Sequence, residues 1–406
     1  MKTANDPRTE RWLLPDGVNE LMPEDAWRVE TLRRQIMDNN YRWGYELVMP
    51  PLIEYLDSLL TGTGETLDLE TIKFIDQHNG RSLGVRADMT PQVARIDAHA
   101  MRNELPNRLF YVGSVLRARS DGAGGSRTPL QFGAELFGHP GPASDAEIIQ
   151  LMLNNVLLSG VGSEALLLDL GHVGVFRGLI QDTGLDAELS EALFQVLLRG
   201  SLPEMQELLE AASVSAEVSR YFQDLAGLAG ESSVVLLEAR EALTGAGYAV
   251  QEALDNLQSV TDAVKVIHPE LELHIDLAEL RGYRYHTGIV FTLYDKAGFE
   301  LARGGRYDAI GELFGRARPA TGFSGDLINL ALAGYARSDD MAPANRGIWV
   351  DSTMDHELWV RICQLRQSGE RVVTALAGSS MAAVDCQCDR VLVHRDGSWQ
   401  IDAIES

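Results

Sequence analysis

Two segments concentrate side chains that could do chemistry. Arg281-Gly282-Tyr283-Arg284-Tyr285-His286-Thr287-Gly288 sets cations, phenols and an imidazole ahead of an apolar strand, and Gly304-Gly305-Arg306-Tyr307-Asp308 follows. Recognition of a free amino acid makes simple demands: a cation for the α-carboxylate, an anion or carbonyl for the α-ammonium, and shape or polarity for the side chain. An imidazole adds the need for an acceptor facing a ring N–H. Taken singly, the candidate residues have plainer readings. A lone Asp88 or Glu135 at a strand edge is more often solvated or ion-paired. Arg281 alone reads as a surface or salt-bridge arginine, Tyr285 as a core aromatic with its hydroxyl satisfied at the edge, and His286 as structural.

Two other groups invite a chemical reading and lose it. Ser120 to Arg127 is glycine-rich, but its frame is strand–loop–strand rather than strand–loop–helix, so it reads as a mobile lid and not as a phosphate cradle. Cys386-Gln387-Cys388 has the wrong spacing for a zinc knuckle and no nearby partner pair, so free thiols and no metal are expected. With Cys363 these make three cysteines, too few for a disulfide framework and suited to a reducing cytoplasm.

The charge balance narrows the partners. Thirty-five Lys+Arg against 59 Asp+Glu give a net charge of −24. A nucleic-acid surface needs a dense field of cations, so an acidic chain points away from polyanions. No apolar run is long enough for a bilayer, and no signal peptide is apparent.

The elements that must position these residues follow from local pattern. Pro23 to Tyr41 reads as a helix on the spacing of Ala26, Val29, Leu32, Ile36 and Met37, closed by Gly44, with a strand from Glu46 to Met49. His78-Asn79-Gly80 between two alternating segments marks a hairpin, Thr90-Pro91 opens a helix to about Met101, and Leu109–Leu116 pairs with Leu130–Phe137. From about Phe176 to Val266 the pattern is helical, with breaks at Ser201-Leu202-Pro203 and Gly227 to Ser232. The sheet resumes at Leu273–Leu277 and in a hairpin from Gly288 to Leu301. The reading is α+β: an antiparallel sheet flanked by helices over residues 1–340, a helical insertion at about 176–266, and a small α/β domain at 345–406.

The two opening segments resemble the histidine-binding segment and the start of the third class II motif of histidyl-tRNA synthetase. Gly44-Tyr45-Glu46 through Pro51 and Glu54 is similar to the first class II motif, which in that family builds the dimer interface. Val85-Arg86-Ala87-Asp88-Met89-Thr90 matches a segment whose carboxylate and threonine hold the α-ammonium, with Asp88 one methylene shorter than the family's glutamate. Val112-Gly113-Ser114-Val115-Leu116-Arg117 matches the second motif and puts Arg117 at its nucleotide-facing arginine. In the same register, the resemblance implies that Gln131 helps hold the amino-acid backbone and that Glu135 accepts from the imidazole. It gives Arg281 the histidine carboxylate and Tyr285 the place of a pocket tyrosine, while His286 replaces that tyrosine's neighbour. The implied histidine-binding set is therefore Asp88, Thr90, Arg117, Gln131, Glu135, Arg281, Tyr285 and His286, with no catalytic residue and no cofactor.

The departures fall on the nucleotide site. The second motif continues as Arg117-Ala118-Arg119 where the synthetase has a carboxylate, and a cation there reverses the local field. Ile328 replaces another carboxylate, and Asn329 stands where an arginine grips ATP. The acidic tail is shorter than an anticodon-binding domain. A kept amino-acid pocket with impaired ATP and tRNA functions resembles the regulatory subunit of short-form ATP phosphoribosyltransferase, a synthetase-like paralogue acting in the first step of histidine biosynthesis. The resemblance implies a chain without catalysis of its own that activates the catalytic subunit and mediates histidine feedback. It also implies a homodimer within a hetero-oligomer, by family a hetero-octamer, binding L-histidine, no nucleic acid and no membrane. The alternative is a divergent histidyl-tRNA synthetase.

Overall fold

A computed structural model describes residues 13–61, 65–101, 104–120, 125–280, 282–335, 347–351 and 353–404. The chain divides into two compact units, residues 1–337 and 338–406. In the first, the described strands are β1 (Glu46–Leu47), β2 (Ile53–Tyr55), β3 (Ile72–Ile75), β4 (Ser82–Val85), β5 (Asn107–Ser114), β6 (Leu130–Phe137), β7 (Leu166–His172), β8 (Ala229–Glu231), β9 (Glu272–Asp276), β10 (Ile289–Asp295), β11 (Glu300–Arg306) and β12 (Ala320–Asp326). Nine of them form one sheet in the order β1-β5-β6-β12-β11-β10-β7-β9-β8, and β2, β4 and β3 form a smaller one. The large sheet is mainly antiparallel, but β1 runs parallel to β5 and β7 parallel to β9. The antiparallel sheet expected from the sequence is found, with those two parallel pairs within it.

Alternation along the strands separates two faces. Phe132, Ala134 and Leu136 of β6 join Ile148, Ile149 and Met152 of the helix Pro142–Leu157 in the main core. Gln131, Gly133 and Glu135 belong to the other face, where Tyr111, Met89, Val93 and Tyr307 form a second apolar cluster. The N-terminal helix Pro23–Arg42 has Pro at its first turn, Glu24 and Asp25 beside its positive end, and buries Val29, Leu32 and Ile36.

The helical stretch begins with Val173–Thr183, earlier than its periodicity suggests, and ends with Tyr248–Ile267. It is interrupted by β8, which pairs antiparallel with β9 at the edge of the large sheet. Val173, Phe176, Leu254 and Leu257 share one apolar cluster with Phe132 and Leu168, so this stretch packs on the main core rather than around one of its own. No helix among the described residues is long and apolar enough to cross a membrane.

The second unit is a four-stranded sheet with the helix His356–Gln367, capped by the Asp355 side chain accepting from Leu358 N. Its thiols, with Cys388 buried, are free.

Candidate functional site

Register across the large sheet builds the site. Glu135 on β6 faces Gly322 on β12, which faces Gly305 on β11, then Val290 on β10, then Gly171 on β7. The three glycines leave a low floor, interrupted by Val290, at whose end stands Glu135. A Cβ at Gly322 would overlap the Glu135 carboxyl, and one at Gly305 would come within 2.7 Å of the His286 ring. The cavity over this floor has a volume of about 350 Å³, the scale of a small ligand.

Glu135 is buried, at 1% exposure, and its partners are phenols. Tyr111 Oη donates to Glu135 Oε1 at 3.0 Å, and Tyr307 Oη donates to Glu135 Oε2. Thr90 Oγ1 lies 3.0 Å from Tyr111 Oη, extending the network to the start of the helix Thr90–His99. Burial pushes the Glu135 carboxyl up to about 8, outweighing the hydrogen bonds from Tyr307, Thr90 and Tyr111 that favour its charged form. Tyr285 stacks on Tyr307 with ring centroids 5.1 Å apart, and its hydroxyl is buried with no hydrogen-bond partner among the described residues. His286 Nδ1 lies 3.3 Å from the Arg306 carbonyl, which can only accept, so Nδ1 carries the proton and Nε2 is an acceptor. Burial lowers the His286 pKa to about 4, keeping the ring neutral.

Asp88 is fixed by two bonds to the same oxygen: Gln131 Nε2 donates to Oδ1 at 2.7 Å and Thr90 N at 3.0 Å. Gln131 Oε1 accepts from Met89 N at 2.9 Å.

Of the expected residues, Asp88, Thr90, Glu135, Tyr285 and His286 line this one cavity. Gln131 stands behind Asp88 and orients it, outside the lining. Arg117 is not among the lining residues either; its backbone bridges to Thr71 and its N–H donates to the Arg127 carbonyl at 2.8 Å. Arg281 and residues 121–124 of the expected lid lie outside the described residues. Sequence reasoning missed Tyr111 and Tyr307 as partners of Glu135, although Tyr307 sits inside the Gly304–Asp308 segment. It also passed over Asp169, Glu279, Thr292, Arg303 and Ser324, which line the far side of the cavity.

The buried carboxyl makes stability pH-dependent. Glu135 keeps its proton to about 8 when folded, against 4.5 for an ordinary glutamate. In that window the native state binds the extra proton, so this contribution to stability is full below 4.5 and is lost as pH rises through about 8. Urea unfolding should show stability falling between about pH 5 and pH 8 by on the order of a few kcal/mol from this group, and Glu135→Gln should flatten the fall. An equal slope in the variant would mean that another group carries it.

Residues 17–330 match the family model described as histidyl-tRNA synthetase, and residues 345–402 match the one described as ATP phosphoribosyltransferase subunit HisZ C-terminal domain. Proteins named ATP phosphoribosyltransferase regulatory subunit from Thioalkalivibrio sulfidiphilus and Pseudomonas fluorescens are 53% and 48% identical to this chain, over 96% and 98% of it and 97% and 99% of themselves. A solved structure from Bacillus halodurans, described as an ATP phosphoribosyltransferase regulatory subunit/histidyl-tRNA synthetase, superposes with a TM-score of 0.78 at 25% identity over 92% of this chain and 95% of that one. Histidyl-tRNA synthetase from Nostoc sp. superposes with 0.76 at 18% identity over 97% of each chain, a likeness of fold alone. Near-full-length identity to the regulatory subunits, joined to a C-terminal unit of their own kind, shows that the chain belongs to the ATP phosphoribosyltransferase regulatory subunit family, on a class II synthetase-like α+β fold.

Proposed function

We propose that the cavity takes free L-histidine and that its occupancy sets the activity of a separate ATP phosphoribosyltransferase catalytic subunit, which this chain activates when histidine is absent. The carrying observation is the sealed Glu135 carboxyl beside the Tyr285 hydroxyl, unpartnered among the described residues: an acceptor and a donor on one small cavity suit the two nitrogens of an imidazole. Asp88, held by Gln131 and Thr90, is the group for the α-ammonium. Histidine shifts the complex only by its difference in affinity between the two states. The chain is read as a cytoplasmic, non-catalytic subunit forming a homodimer within a hetero-oligomer. Its charge of −24 and the replacements at Arg119, Ile328 and Asn329 support a lost tRNA and nucleotide role.

The test is to add this chain to a purified short-form catalytic subunit and to follow phosphoribosyl-ATP formation from ATP and phosphoribosyl pyrophosphate. The expected outcome is a rate increase that histidine reverses. No rate change and no complex on a sizing column, with histidine-dependent ATP–pyrophosphate exchange by the chain alone, would instead make it a synthetase.

A further inference from the structure

Two residues along from the Glu135 row, on the same sheet face, runs a second row. Asp169 on β7 faces Thr292 on β10, Thr292 faces Arg303 on β11, and Arg303 faces Ser324 on β12. All four line the same cavity as Glu135. Arg303 is the one Lys or Arg among the described lining residues, against four acidic ones: Asp88, Glu135, Asp169 and Glu279. Its ion pair is with Glu300 of its own strand, at 3.6 Å with both side chains exposed, a contact of little strength.

A ligand carboxylate entering this cavity meets Asp88, Asp169 and Glu279 and is repelled by them. Arg303 offers the opposite charge, with the hydroxyls of Thr292 and Ser324 one strand away on either side as neutral donors. The reach is also right. Two strands across and two residues along separate Glu135 from Arg303, about 12 Å between side chains projecting in parallel from one face. Free histidine spans roughly 6 Å from ring nitrogen to carboxylate, and a hydrogen bond of about 3 Å at each end fills the remainder.

We infer that Arg303, flanked by Thr292 and Ser324, is a carboxylate-recognising subsite of this pocket, selecting a free amino acid over its analogue lacking the carboxylate. The inference rests on the histidine reading above. The resemblance to the synthetase assigns the carboxylate to Arg281 and gives Arg303 no role. Arg303 acts here as a specificity residue.

Calorimetric titration with L-histidine and with L-histidinol, in which an alcohol replaces the carboxylate, tests this on the full chain. Wild type should prefer histidine. Arg303→Gln should lose about 10- to 100-fold in histidine affinity while histidinol affinity moves less than about 2-fold, closing the gap between the ligands. Arg303→Lys should restore part of the preference, since the charge returns without the planar fork. Arg303 is more than half exposed, so these variants should fold, and unchanged histidinol binding checks it within the same experiment. A wild-type preference retained in Arg303→Gln, or equal losses for both ligands, overturns the subsite and leaves the histidine reading standing. Wild type binding neither ligand overturns the histidine reading itself, and the subsite with it.

Discussion

Glu135→Gln should weaken histidine binding by about 100-fold or more and move histidine inhibition of the assembled complex to correspondingly higher concentrations, leaving activation without histidine intact. The substitution keeps the side chain's volume at a site exposed by only 1%. What it removes is an acceptor that can carry charge. A carboxylate accepting from an imidazole N–H makes a charge-assisted bond, and the amide puts an N–H₂ in competition for the same place. The phenols of Tyr111 and Tyr307 can rotate to suit an amide oxygen, so the fold tolerates the change better than the ligand does. Because burial holds the Glu135 proton to about 8, a neutral imidazole N–H that bonds the carboxylate near pH 7 displaces that proton to buffer, seen as a buffer-dependent heat that the variant should lack. Above about pH 8 the carboxyl is already ionised, and the buffer-dependent heat should fade. An unchanged inhibition curve for Glu135→Gln would mean that the imidazole acceptor lies elsewhere.

Which parts of this site the sequence discloses depends on whether the signal is local. Asp88, Thr90, Glu135, Tyr285 and His286 are legible because each lies in a short segment with a recognisable pattern, and the structure brings them to one cavity. Gln131 is legible as a polar position on an apolar strand, but its use in clamping Asp88 depends on Met89 N approaching from another element. Tyr111 reads as an ordinary core aromatic, since the partner of its hydroxyl stands twenty-four residues away on the neighbouring strand. Arg303 is less legible still. Its neighbours Thr292 and Ser324 are fixed by strand register, and a slip of one residue would turn each to the opposite face.

The same limit explains the fold-level differences. Local pattern marks strands at β1, β5 and β9 and passes over β7, and the parallel pairing of β1 with β5 and of β7 with β9 is decided by packing across long connections. The strand β8 has three residues, one a glycine, too few to show alternation, and it takes its conformation from the edge it covers. The helical stretch reads as an insertion of its own because its pattern is helical on both sides of two short breaks. Only the partners of Phe176 and Leu257 reveal that it completes the main core.

Asp145→Ala should cost about 3–5 kcal/mol of stability and lower the thermal midpoint by roughly 10 °C, the largest loss expected from any single side chain discussed. Asp145 is fully buried in the first turn of the helix Pro142–Leu157, and Arg306 at the end of β11 is nearly so. Arg306 Nη2 lies 2.9 Å from Asp145 Oδ1, and Nε donates to Oδ2 at 3.1 Å. The guanidinium also donates to Ser144 Oγ at 2.7 Å and to the Gly141 carbonyl at 3.0 Å. Removing the carboxyl leaves a buried cation with neutral acceptors and the half-exposed Asp308, whose Oδ1 accepts from Arg306 Nη1 at 3.1 Å, so the desolvation of Arg306 is then only partly compensated. Burial raises the Asp145 pKa against the pull of Arg306, so the pair itself contributes little net stability and the damage comes from breaking it. The double variant Asp145→Leu with Arg306→Met should therefore recover much of the loss, a non-additivity that a thermodynamic cycle measures. Histidine affinity offers a second readout. Arg306 precedes Tyr307, whose hydroxyl serves Glu135, so the helix start and the Glu135 carboxyl are joined through two consecutive residues. If the double variant regains stability but not histidine affinity, the ion pair acts on the pocket by aiming Tyr307; if both return together, it acts only through the fold.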